Sequence, residues 1–136
     1  GDLFSCRIAG NVLNDDILGS MEFSCKLAGS NLIVVLGHSS CGAVKGACAG
    51  AELGHLTGLL QKIQPAIDAA QKGGGLEGAE LVQAVAERNV QDVVEEIRSK
   101  SPVLEAMISE GQVGIVGGMY SVETGQVQFQ ELVCGK

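Results

Sequence analysis

His38 and Cys41 are the residues of this 136-residue chain whose types and spacing point most directly to chemistry. An imidazole and a thiolate with two residues between them can reach one zinc ion from a single turn, at about 2.0 and 2.3 Å. They stand in Gly37-His-Ser-Ser-Cys-Gly42, directly after the apolar run Leu32-Ile-Val-Val-Leu36. In open α/β sheets ligands bind beyond the carboxyl ends of the strands, which is where this hexapeptide falls. Gly37 is expected to let the chain leave the strand sharply, and Gly42 to permit a close approach as a helix begins. That helix N-terminus would favour the thiolate form of Cys41. On spacing alone the pair reads equally as a buried thiol beside a turn histidine, and two ligands do not complete a zinc site.

The elements that must position this turn follow from the pattern of apolar residues. Asp2 to Ala9 reads as a short strand closed by Gly10-Asn11. Asn14-Asp-Asp16 then offers cap chemistry and negative charge to a helix carrying Ile17, Leu18, Met21, Cys25 and Ala28, which stops at Gly29. Leu32 to Leu36 shows no alternation and suits a strand buried on both faces. Ala43 to Ala49 is helix-compatible, and Leu53 to Lys72 forms a second helical region in which Pro65 predicts a kink or a fresh start. The longest helix is expected from Glu77 or Glu80 to Lys100, followed by a short one begun by Ser101-Pro102 and ended by Gly111. Val113 to Tyr120 is a further strand, and Gln126 to Leu132 an alternating edge strand. Strands alternating with helices predict an α/β fold, a central and mostly parallel β-sheet flanked by helices, in one domain over residues 1–136.

Composition narrows the function. Nine Lys and Arg against 16 Asp and Glu leave a formal net charge of −7, which disfavours nucleic acid and anionic membrane as partners. Aromatic residues are only 3%, too few for base-stacking platforms, so the core must be aliphatic. No apolar run reaches membrane-spanning length, and Gly1 to Arg7 resembles neither a signal nor a transit peptide. The reading is of a protein of the cytoplasm or an organellar stroma or matrix, not a secreted one. Five cysteines, Cys6, Cys25, Cys41, Cys48 and Cys134, do not suggest a disulfide framework. Most are expected to be small buried hydrophobes, Cys41 excepted. The chain lacks an initiator Met and reads as though it begins within a fold.

Four blocks carry a resemblance to a known family. Gly1-Asp-Leu-Phe-Ser-Cys-Arg-Ile-Ala-Gly-Asn11, Ser20-Met-Glu-Phe23, Val34-Val-Leu-Gly-His-Ser-Ser-Cys-Gly-Ala-Val44 and Val113-Gly-Ile-Val-Gly-Gly-Met-Tyr-Ser-Val-Glu-Thr-Gly125 are similar, in order and spacing, to the β-class carbonic anhydrases. The resemblance implies a zinc enzyme that hydrates CO2 reversibly to bicarbonate, with His38 and Cys41 as two of three protein ligands. It also implies that zinc lowers the pKa of a water whose hydroxide attacks CO2, and that the protein is a homodimer or an assembly of dimers. Arg7 is implied near the subunit interface, where a planar fork suits a bicarbonate, although a structural ion pair serves equally. Gly42 and Tyr120 are further candidates for the substrate or anion site, Tyr120 also reading as a half-buried packing residue.

The sequence departs from the family's pattern in one respect. A Cys-x-Asp-Ser-Arg segment, which in the family ends a strand upstream of Gly-Asp-Leu-Phe and supplies the remaining zinc ligand and an Asp–Arg pair, occurs nowhere in it. No catalytic residue beyond the two ligands is therefore identified. The chain is read as incomplete at its N-terminus, with little or no zinc binding or activity of its own. Two alternatives stand beside this: a non-catalytic dimeric relative serving in binding or regulation, and a zinc hydrolase acting on a CO2-like molecule such as carbon disulfide. His55 reads as a helix-surface or capping residue, Cys25 and Cys48 as packing thiols, and Glu22 as a support for the site.

Overall fold

The computed structural model describes residues 1–135. Strand β1 (Leu32–His38) and strand β2 (Gly114–Tyr120) pair in parallel, and β3 (Val127–Phe129) joins β2 antiparallel, giving a three-stranded sheet in the order β1-β2-β3. Six α-helices among the described residues complete the α/β fold: α1 (Asp15–Glu22), α2 (Gly42–Cys48), α3 (Gly54–Gln61), α4 (Gln64–Gln71), α5 (Gly78–Lys100) and α6 (Pro102–Ser109). The expected helices are all present. Pro65 marks a fresh start, sitting in the first turn of α4 after a break from α3. Asn14 caps α1 by accepting Ile17 N–H on Oδ1 at 2.9 Å, and Asp15 and Asp16 place negative charge at that helix's positive end.

The long helix α5 spans two cores. Val90, Val93 and Ile97 pack with Ile33, Val35 and Ile115 of the sheet, with Leu18 of α1 and with Leu104 and Ile108 of α6. One to two turns earlier, Val85 and Ala86 pack with Val44 of α2 and with Leu60, Ile63 and Ile67 of α3, α4 and the turn between them. Ser101 locks the α5–α6 junction: its Oγ accepts Leu104 N–H at 3.1 Å and donates to the Glu22 carboxylate at 2.6 Å. Glu22 therefore supports this helix junction, not the His38–Cys41 turn.

Two expectations about strands fail. Residues 2–8 form no strand; apart from half-buried Ile8 they are exposed, Cys6 among them. A segment becomes a strand only by pairing its backbone, and this one pairs with no strand among the described residues. Strand β1 is not buried on both faces either. Ile33, Val35 and Gly37 point into the core, whereas Leu32, Val34 and Leu36 are exposed, because the helices cover only one side of the sheet. The final strand is shorter than expected, with a single further bridge between Ile115 and Val133.

Candidate functional site

Strands β1 and β2 end together, with His38 beside Tyr120 in the register, so the His38–Cys41 turn emerges at the carboxyl ends of the parallel pair. Gly37 is needed for space rather than for a sharp exit. A Cβ there would stand 2.6 Å from Val90 Cγ2 and 2.8 Å from Met119 Sδ, so a glycine lets α5 press against the last turn of β1. Gly42 behaves differently from expectation: a Cβ at this first residue of α2 would meet open space, and the chain itself makes no close approach there.

The turn is set by backbone geometry. Ser39 N–H donates to the Tyr120 carbonyl at 2.9 Å, continuing the parallel ladder one residue beyond the strands. Ser40 then takes a left-handed φ of 56°, which swings the chain into Cys41, the N-cap residue of α2. The Cys41 carbonyl accepts Lys45 N–H at 2.9 Å, and its side chain is buried in the second core among Val12, Val44 and Ile63. His38 is exposed, on the outer side of β1.

The imidazole is held in one orientation. Its Nδ1 lies 2.9 Å from the Ser39 carbonyl, an acceptor, so Nδ1 carries a proton, and in the neutral ring Nε2 is the nitrogen that keeps its lone pair. Metal-ligating histidines have this form, one nitrogen tied to a carbonyl and the other bare. A neutral imidazole and a cysteine sulfur are a donor pair suited to zinc. Among the described residues no group of three or more His, Cys, Asp or Glu side chains is placed to hold a metal; His38 lies exposed on the outer side of β1 and Cys41 is buried in the second core, so the described residues alone form no metal site.

The other candidates are dispersed. Arg7 is exposed in the N-terminal segment and makes no ion pair among the described residues. Tyr120 is 36% exposed at the end of β2, close to the turn. His55 is exposed in the first turn of α3, as a surface histidine. Cys25 is buried and Cys48 partly so, and burial pushes both thiols above their ordinary pKa, as packing thiols require. Cys134, like Cys6, is exposed, contrary to the expectation of mostly buried thiols.

Two features near the turn escaped the sequence. Asn11, with a φ of 42°, lays its amide beside Gly37, and its buried Nδ2 has no partner among the described residues, leaving an open donor next to the residue that precedes His38. An open groove of about 680 Å³ runs along Ser39, Ser40, Lys45, Glu80, Glu87 and Glu123. Neither His38 nor Cys41 lines it, so it flanks the turn and does not contain it.

Residues 1–127 match the carbonic anhydrase family. The chain belongs to that family. It is 31% identical to carbonic anhydrase 2 of Mycobacterium tuberculosis, over 96% of this chain and 64% of that protein. The β-carbonic anhydrase CafA of Aspergillus fumigatus superposes with a TM-score of 0.86 at 28% identity, over 96% of this chain and 64% of that one. One of two tetrameric β-carbonic anhydrases of Sordaria macrospora shares the fold, with a TM-score of 0.84 at 21% identity over 95% of this chain and 68% of that one. This carbonic anhydrase chain is thus of the β class, and it spans 64% of the length of its mycobacterial relatives.

Proposed function

We propose that the protein carrying this chain hydrates CO2 reversibly to bicarbonate, with His38 Nε2 and Cys41 Sγ as two ligands of a zinc ion. The observation that carries this reading is the bond from His38 Nδ1 to the Ser39 carbonyl, which leaves Nε2 bare at the carboxyl end of the parallel strands. Zinc, when bound, supplies a nucleophile at neutral pH by lowering the pKa of a water. The chain's own part is to hold one nitrogen and one sulfur donor on a turn braced between β1, β2 and α2. The third ligand, in this reading, comes from a Cys-x-Asp-Ser-Arg segment outside these residues, on a strand that pairs with the free edge of β1. That edge has no partner among the described residues.

The protein is further read as a homodimer or an assembly of dimers. Leu32, Val34 and Leu36 form, with Phe129 and Leu132, an apolar outer face of the kind that a second copy covers. The tetrameric Sordaria proteins of the same fold support this assignment.

Zinc per chain, by elemental analysis without added metal, and CO2 hydration by stopped flow test the reading. The 136-residue chain alone is expected to hold little zinc and to be nearly inactive. Extended by the Cys-x-Asp-Ser-Arg segment, it is expected to hold one zinc and to turn over, and H38A in the extended chain to lose both. An extended chain that is loaded with zinc yet inert would overturn the assignment.

A further inference from the structure

Ser39 stands between the imidazole and the end of β2, and its N–H, carbonyl and hydroxyl oxygen are each bonded. Its N–H donates to Tyr120, and its Oγ accepts Val122 N–H at 3.0 Å, two residues past the end of β2. Its carbonyl takes the His38 Nδ1 proton. The first two bonds fix the residue to a segment 83 positions away in sequence. The third passes that restraint to the ring. Ser40, next in the chain, holds a left-handed backbone that a side chain adopts only under restraint, so a turn released from Val122 has reason to relax.

We propose that Ser39 is a positioning residue for His38. Its hydroxyl ties the turn after β1 to the segment after β2, and so keeps its carbonyl where it holds the proton on Nδ1 and leaves Nε2 bare for a metal. The metal half of this statement rests on the zinc reading above; the tautomer half is a property of the chain itself. A serine serving only to brace the two loops would affect stability when removed, but not which ring nitrogen carries the proton.

The test is the long-range 1H–15N spectrum of the 15N-labelled 136-residue chain, recorded well above the ordinary imidazole pKa of about 6.5. The chain has two histidines, so H55Q assigns the His38 signals. Wild type is expected to show the Nδ1–H tautomer at His38, S39A a mixture of tautomers, and S39T the wild-type form again. Zinc affinity of the chain extended by the Cys-x-Asp-Ser-Arg segment, measured by titration, should fall about 10- to 100-fold in S39A and recover in S39T. An S39A chain that keeps the wild-type tautomer overturns the proposal whatever zinc does. If the tautomer responds as expected but wild type takes up no zinc even when extended, the zinc reading fails and the positioning role stands. Should S39A not fold, wild type decides: a rapidly exchanging Val122 amide, or a His38 ring protonated on Nε2, overturns the proposal.

Discussion

Val34 and Val35 are adjacent, chemically identical and in the same strand, yet Val34 is 45% exposed and Val35 only 7%. The inner face of the sheet, Ile33, Val35 and Ile115, lies under α1, α5 and α6. The outer face, Leu32, Val34 and Leu36, lies under nothing among the described residues. Apolar character records which side chains water disfavours. It does not say which element covers them. In this chain the covered face holds the fold together, and the uncovered face is where we place the association with a second copy.

Truncation on the two faces gives the largest expected contrast. I115A, which removes a fully buried side chain, is expected to cost about 2–5 kcal/mol in urea unfolding, whereas V34A should cost under about 1 kcal/mol in the monomer. Equal costs would mean that the outer face is covered after all. V34T with L36T should lower the sedimentation-velocity mass of the protein if that face holds a second copy, and leave it unchanged if it does not.

The close packing beneath the site comes next in size. G37A drives a Cβ into Val90 and Met119, and a loss of about 1–3 kcal/mol is expected by chemical denaturation. A neutral G37A would show that α5 can back away from β1 without harm, and that the inner face is softer than the comparison implies. S101A removes the α6 cap and the donor to Glu22; about 1 kcal/mol is expected, read as a lower thermal midpoint.

The smallest effect lies on the polar surface of the helices, the counterpart of the apolar sheet face. The Arg98 guanidinium, donating to both oxygens of Glu105 at 2.8 and 3.0 Å, holds that carboxyl below the usual range, with Ser109 Oγ adding a further donor. Because the folded pKa lies below the unfolded one, the unfolded state binds the proton first as pH falls. The stabilisation is present above the ordinary carboxylate pKa of about 4.3 and is lost as pH drops through the folded value. E105Q should flatten the stability–pH curve in that acidic window and change little at neutral pH. The pair is partly exposed, so added salt should shrink the difference.

Much of the architecture was legible because helices are local. The caps at Asn14 and Ser101, the break before Pro65 and the stripe along α5 follow from residues a few positions apart, and each appears where the pattern puts it. His38 and Cys41 were legible as a pair for the same reason, lying in one turn after a recognisable strand. The proposed role of Ser39 was not, since its hydroxyl partner is the Val122 amide at the far end of another strand. Nor was the crowding at Gly37, which depends on Val90 from α5 and Met119 from β2. The segment 2–8 misled for a related reason: its residues favour an extended backbone, but a strand also requires a neighbour's edge.

By itself, then, the sequence determined the family, the order of the helices and the turn that carries an imidazole and a thiol. Those are set by residue types within a few positions, where backbone preference and hydrophobic period act. Only the tertiary structure decided which face of β1 is covered, which nitrogen of His38 is left bare and where the sheet ends. Each depends on groups that folding brings together from distant parts of the chain, and no local pattern encodes their meeting.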